Sequence, residues 1–228
     1  MATSGTATFN PDVNEIIEEA YERAGIEMRS GYDLRTARRS LNIMAAEWSN
    51  RGLNLWTVEP GTQALTAGTA SYDLPADTID IIEHVLRTNS GNSSTQNDRQ
   101  LNRISVSSYA SIPNKLTQAQ PIQIYVDRLA TPKMWLWPVP DSAQSYSVIY
   151  WRLRRVQDSG SIGSYTMDIP SRFIPAMVAG LAFHLTMKRP ELVSRVIPLK
   201  QYYDEQFALA ADEDRDRAPV RFVPQVGL

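Results

Sequence analysis

The spacing of apolar residues changes within one short stretch, residues 33–60, and this change limits the folds available to the chain. In the first half of the stretch, apolar residues recur at three- and four-residue steps, the spacing of one buried helical face. They are Leu34, Ala37, Leu41, Met44, Ala45 and Trp48. After Gly52 an extended apolar run begins. The chain therefore passes here from a helical region to a β-rich one.

Two helices are predicted before residue 53. Asn10 is expected to cap the first helix, with Pro11 at its first position and Gly25 just past its end. The second helix is predicted over residues 33–51, with Asp33 as its N-cap. Because the loop between the two is short, they should form an antiparallel hairpin.

The region that follows has the periodicity of β-strands. Its three strongest predicted strands are Ile122–Asp127, Lys133–Trp137 and Tyr146–Leu153. The last two carry apolar residues on both faces, and such strands are covered on both sides. We therefore expect an antiparallel sheet or a small sandwich in this region.

Helical periodicity returns near residue 169. The segment that begins at Pro170 is apolar over most of its circumference, which predicts a central helix. A last helix is predicted over residues 191–213, and Pro198 is expected to kink it or to split it in two.

These segments predict an α+β fold in which a four-helix bundle is interrupted by a β-rich insertion. The bundle is formed by residues 10–53 and 169–214, and the insertion by residues 54–168. Residues 1–9 are small and polar and are expected to form a flexible arm. Residues 215–228 are expected to form an extended, apolar C-terminal tail that binds another molecule.

Composition excludes several classes of site. The chain of 228 residues has no cysteine and two histidines, so it cannot hold a disulfide, a thiolate metal site or a multi-histidine cluster. We expect no metal and no cofactor. Neither a signal peptide nor a membrane-spanning run is visible, which predicts a protein made in the cytoplasm that makes no membrane contact. The formal net charge of −2 gives no global attraction to nucleic acid.

A row of cationic residues lies on the exposed side of the second predicted helix. It consists of Arg35, Arg38 and Arg39. The favoured interpretation is a solvated face with carboxylate partners nearby. The alternative is a face that contacts DNA phosphates or an acidic partner.

No motif of a known catalytic class is present, and we predict that the chain is not an enzyme. His184 falls in the apolar central helix, which favours a hydrogen-bonded core histidine. Asp141, Asp158 and Asp168 fall in loops. Such acids could serve a two-carboxylate hydrolase, but turn and cap chemistry is the favoured interpretation.

Six short motifs, taken in their order along the chain, are informative about its family. They are EWSNRGLNLW (47–56), ASYDLP (70–75), IPNK (112–115), LWPVPD (136–141), YWRLR (150–154) and DRDRA (214–218). In this order the chain resembles the head-to-tail adaptor, or connector, proteins of tailed bacteriophages. The nearest likeness is to those of short-tailed phages, which stabilise the packaged DNA.

The resemblance implies a structural virion protein of the neck and tail. Its members form a homo-oligomeric ring, commonly dodecameric, between the portal and the tail nozzle, with the bundle as the ring wall and the β part toward the tail or the outside. The ring extends the channel for double-stranded DNA, without sequence specificity, and helps to retain the genome. A tail fibre or spike is a further expected partner.

The same resemblance gives the C-terminal tail a partner. The residues expected to clamp the portal are Pro219, Val220, Arg221, Phe222, Val223 and Pro224. The alternative function is a tail-associated peptidoglycan hydrolase that acts during infection.

Overall fold

The chain has a mixed α+β fold, seen here in a computed structural model. The residues that the structure describes are 3–52, 55–161 and 163–215. They contain five α-helices and two four-stranded β-sheets. The predicted α+β class is therefore confirmed.

The chain divides into two compact units. The helical unit runs up to Leu55 and resumes at Val156, and the β unit is Trp56–Arg155. Residues 156–168, which the sequence prediction assigned to the β-rich region, lie in the helical unit. There the carbonyl groups of Tyr165 and Gly163 accept hydrogen bonds from Val13 N (2.9 Å) and Asn14 N (3.2 Å). The returning segment thus satisfies free N–H groups at the start of the first helix.

Helix α1 (Val13–Ala24) begins later than predicted. Its N-cap is Asp12, whose carboxylate accepts from Glu15 N (2.9 Å), while the Glu15 carboxylate accepts from Asp12 N (2.9 Å). This reciprocal pair satisfies two donors at once, which is why the helix starts there. The prediction of Asn10 as the cap was wrong. Gly25 ends the helix in the left-handed conformation, as predicted (φ 70°).

Helix α2 (Gly31–Asn50) begins earlier than predicted. Ser30 is the N-cap, because its hydroxyl accepts from Asp33 N at 3.4 Å, so the prediction of Asp33 as the cap was wrong. Asp33 lies in the first turn, where the backbone N–H of Arg29 lowers the pKa of its carboxyl. The predicted buried face is confirmed at Ala37, Leu41, Met44, Ala45 and Trp48.

Helix α3 (Val106–Ala110) is a short helix of the β unit. Helix α4 (Ile174–Thr186) is buried around most of its circumference and packs against α1, α2 and the last helix. The prediction of a central helix is confirmed.

Helix α5 (Val193–Glu213) runs continuously through Pro198, so the proline does not split it. Pro198 is exposed and lies in the second turn. It removes one backbone hydrogen bond close to the helix start, and the helix continues on either side.

The β unit consists of two sheets. The first has the order β1–β8–β3–β4 and is antiparallel throughout. Its strands are β1 (Val58–Ala64), β3 (Thr78–Thr88), β4 (Asn97–Gln100) and β8 (Tyr146–Arg154). The second has the order β2–β7–β6–β5 and is antiparallel except for the β5–β6 pair. Its strands are β2 (Ser71–Asp73), β5 (Asn102–Arg103), β6 (Gln123–Asp127) and β7 (Lys133–Trp137).

Both sheets contribute to one apolar core. Ile81 and Leu86 of the first sheet and Ile124, Met134 and Leu136 of the second are buried in the same cluster. The sheets therefore pack face to face. The three strongest predicted strands correspond to β6, β7 and β8 within one residue at each end.

None of the described helices is both long and apolar enough to span a membrane.

Candidate interaction surfaces

The arginine row on α2 divides into one internal and two outward-facing residues. Arg38 is half-buried and donates to Ser161 O (2.7 Å) and Asn14 Oδ1 (3.2 Å). It therefore joins α2 to α1 and to the returning segment, which the sequence did not indicate. Arg35 and Arg39 are exposed and make no ion pair or hydrogen bond with any residue that the structure describes.

Lys188 adds to the positive charge near Arg39. Its ammonium group donates to Thr36 O at 3.0 Å. Partial burial lowers the pKa of Lys188, and the neighbouring charge of Arg39 lowers it further. Within the described chain no carboxylate pairs with Arg35 or Arg39, and the contact of this face with DNA or an acidic partner stays a prediction.

A groove lies between α1 and α4, with a volume of about 450 Å³. We call it the α1–α4 groove. Its lining is Phe9, Pro11, Glu15, Ile16, Glu19, Arg23, Ile174, Pro175 and Val178. Most of these side chains are apolar, and Phe9 is 78% exposed. The charged lining residues are Glu15, Glu19 and Arg23, and Glu19 is paired with Arg23 at 2.7 Å. The sequence could not reveal this groove, because its two walls are distant in the chain.

The end of α5 is held by Asp214. Its backbone N–H donates to Ala210 O at 3.1 Å. Its carboxylate forms an ion pair with Arg172 and accepts from Leu55 N at 3.0 Å, and the side chain is only 3% exposed. Asp214 thereby links three parts of the helical unit that are far apart in sequence, next to the point where the predicted tail begins.

The six tail residues from Pro219 to Pro224 lie outside the described residues. Their expected contact with the portal stays a prediction.

Of the three loop acids considered for a hydrolase, Asp141 and Asp158 serve local turns, whereas Asp168 bonds to a residue distant in the chain. Asp141 accepts from Ala143 N (3.0 Å) and from the Tyr146 hydroxyl (3.0 Å). Asp158 accepts from Gly160 N at 2.8 Å, and Asp168 accepts from Gln157 N at 3.2 Å. The bonds of Asp141 and Asp158 are the turn chemistry that the sequence favoured, whereas the bond of Asp168 is neither a turn bond nor a helix cap.

Neither histidine forms a reactive arrangement. His184 Nε2 lies 3.6 Å from Glu47 Oε2 but makes no hydrogen bond within the described chain, so the expectation of a hydrogen-bonded core histidine was wrong. Burial lowers the pKa of His184, which favours the neutral ring at pH 7. Burial likewise lowers the pKa of His84. Among the described residues, no group of three or more ligating side chains could hold a metal ion.

Among the described residues, the surfaces that stand out are the arginine row and the α1–α4 groove. The model of the SU10 adaptor protein family matches residues 12–224, and the chain belongs to that family. This membership confirms the resemblance to phage adaptor proteins. Adaptors are structural components, not enzymes. No curated protein matches the chain.

Proposed function

We propose that the chain is the head-to-tail adaptor of a tailed bacteriophage. Copies of it form a ring, commonly dodecameric in similar proteins, between the portal and the tail nozzle in the virion neck. The observation that carries this proposal is the match of the SU10 adaptor family to residues 12–224, almost the whole chain.

The ring would extend the DNA channel and help to retain the packaged genome. The four helices of the helical unit would form the bundle of its wall, and the β unit would face the nozzle, fibre or spike. A formal net charge of −2 suits a channel through which double-stranded DNA must slide. A strongly basic wall would instead hold the phosphates and release them only at high salt.

The C-terminal residues Pro219–Pro224 would bind the portal. Two features support this assignment. The family match continues through these residues to position 224. Asp214 fixes the end of α5 through Arg172 and Leu55 N, so a tail that starts there begins at a defined position.

The first prediction tests this assignment. A chain that lacks residues 219–228 should keep its helical and β units but should no longer add to purified portal rings. Mass measurement and electron microscopy of adaptor–portal mixtures would give both binding and copy number. As a control, residues 219–228 replaced by a Gly/Ser segment of equal length would show whether sequence or length matters.

The outcome that overturns the tail assignment is a truncated chain that adds to portal rings with the affinity of the complete chain. The outcome that overturns the adaptor function is a complete, folded chain that adds neither to portal rings nor to itself. We do not propose cell-wall hydrolysis, because all three loop acids accept backbone hydrogen bonds and no feature of the described residues favours it.

A further inference from the structure

Helix α2 presents a mixed apolar and cationic stripe to solvent. Tyr32, Arg35, Arg39 and Ile43 follow one another at steps of three and four residues, so they share one face. We call this set the α2 stripe. Tyr32 is 66% exposed and Ile43 is 59% exposed. A face with two large exposed apolar side chains and two unpaired arginines has the composition of an interface: apolar contact area with charge beside it.

The α1–α4 groove has the complementary character. Apolar side chains form most of its surface, and Glu15, Glu19 and Arg23 also line it, with Glu19 paired to Arg23. Glu18 and Glu22 are exposed and lie one turn away on the same helix, so the carboxylates form a continuous row along α1. The groove can thus accept apolar side chains flanked by cations.

The groove cannot receive the α2 stripe of its own copy. Asn14 and Tyr21 of α1 hydrogen-bond to α2, at Arg38 and at Asp33 O. Since successive residues are rotated by about 100° around a helix, Glu15 and Glu19 lie about 100–160° around α1 from those two residues. On α2 the stripe likewise lies opposite the buried face. The two surfaces therefore face away from each other.

We propose that the α2 stripe of one copy docks in the α1–α4 groove of the next copy. Tyr32 and Ile43 would cover the apolar part of the groove, and Arg35 and Arg39 would pair with the glutamate row of α1. This inference rests on the proposed ring and names the surfaces that build it. It assigns the arginine row to an acidic protein surface rather than to DNA.

Charge favours this head-to-tail arrangement over a symmetric one. Two α2 stripes placed against each other would bring arginines together, and two glutamate rows would do the same with carboxylates. Like charges across an interface are unfavourable, whereas the stripe-to-groove contact pairs opposite charges. A contact between two different surfaces repeats from copy to copy and can close into a ring.

The test uses two charge reversals in the complete chain. One variant carries Arg35→Glu and Arg39→Glu, and the other carries Glu18→Arg and Glu22→Arg. All four side chains are exposed, so folding should be retained, which circular dichroism would check. Each variant alone should need at least about tenfold more protein to assemble, with or without portal rings, in sedimentation velocity and native mass measurements.

The decisive sample is an equal mixture of the two variants. In the mixture, the reversed stripe of one variant faces the reversed groove of the other, and the remaining contacts are of the original kind. Alternating rings should therefore form, and a single chain with all four substitutions should also assemble. A control with Arg29→Glu and Arg99→Glu changes the net charge equally and should assemble like the original chain.

Two results would overturn the proposal. One is assembly of the Arg35→Glu, Arg39→Glu variant at the original concentration; if this variant also retained less double-stranded DNA, the stripe would be a DNA surface. The other is impaired assembly of both variants without recovery in the mixture. Either result leaves the adaptor function intact as long as the original chain still assembles on portal rings, whereas an original chain that never assembles would overturn that function instead.

Discussion

One buried polar contact in the helical unit joins two aromatic side chains, whereas one in the β unit joins an arginine to two carboxylates. Trp48 Nε1 donates to the Tyr203 hydroxyl at 2.7 Å and links α2 to α5. Arg152 on β8 donates to Asp77 (2.6 Å) and to Glu59 on β1 (2.5 Å). Both contacts join segments that are far apart in sequence, but only the second carries charge.

The surroundings explain the difference. Tyr203 is 2% exposed and lies among aromatic rings, where a neutral pair needs no solvation of charge. The Arg152 side chain is 10% exposed, while the carboxylates of Glu59 and Asp77 are 48% and 44% exposed. Water thus reaches the acids but hardly reaches the arginine. We therefore expect acid to lower the free energy of unfolding of the β unit through this ion-pair cluster. Alkali should lower that of the helical unit through Tyr203.

The largest effect is expected from Arg152→Leu. The substitution removes the cation that Asp77, Glu59 and the Thr78 hydroxyl share, and breaking a buried ion pair costs about 3–5 kcal/mol. Since both carboxylates can regain water, we expect a loss of about 2–3 kcal/mol in the free energy of unfolding of the β unit. Hydrogen exchange of amides in β3 and β8 would measure it.

Arg152→Lys is the matched control, because it keeps the charge but not the planar fork that reaches two carboxylates. It should recover part of the loss. If Arg152→Leu changed protection by less than about 0.5 kcal/mol, the cluster would be no more than an ordinary surface contact.

The next effect is expected from Tyr203→Phe. This change removes the acceptor of the Trp48 indole N–H and should cost the helical unit about 1–2 kcal/mol at neutral pH. Exchange of α4 and α5 amides would report it. Substitution of the exposed Tyr202 by Phe on the same helix is the control and should cost less than about 0.5 kcal/mol.

The same variant tests the effect of alkali. Burial raises the pKa of Tyr203 to about 12. Between the unfolded value of about 10 and this value, the folded unit keeps a proton that the unfolded chain loses, so stability falls as pH rises. In Tyr203→Phe, this fall in the free energy of unfolding between about pH 10 and pH 12 should disappear. Identical slopes in the two chains would mean that Tyr203 is not responsible.

Sequence patterns predicted an element correctly where the spacing of apolar residues within that one element was sufficient. The buried side of α2 and the position of α4 follow from apolar spacing alone. The starts of α1 and α2 were predicted wrongly, because several residues near each start can cap and only the hydrogen bonds that form decide between them. Neither composition nor residue spacing determines which of these residues caps the helix.

Contacts between segments that are far apart in the chain could not be predicted from the sequence. Arg38 was grouped with its neighbours on α2, although Ser161 and Asn14 hold it inward. Arg152 did leave a signal: it continues the strand face of Val148 and Tyr150, and a charge on an apolar face implies buried partners. Its partners became visible only through the strand register, which places Glu59 opposite Arg152.

The smallest effect is expected from Asp77→Asn, and it isolates the acid side of the comparison. The hydrogen bond from Arg152 lowers the pKa of Asp77, while burial opposes the shift. Because the pKa of Asp77 is lower in the folded unit, its carboxylate stabilises the fold above the unfolded pKa of about 3.9. This stabilisation is lost as the pH falls through the folded pKa. Between pH 6 and pH 3, the original β unit should therefore lose stability more steeply than the variant. Amides of α4 in the same samples lie in the unit that does not contain Asp77, and they should show equal slopes in both chains. Parallel slopes in the β unit as well would place its acid sensitivity at another carboxylate.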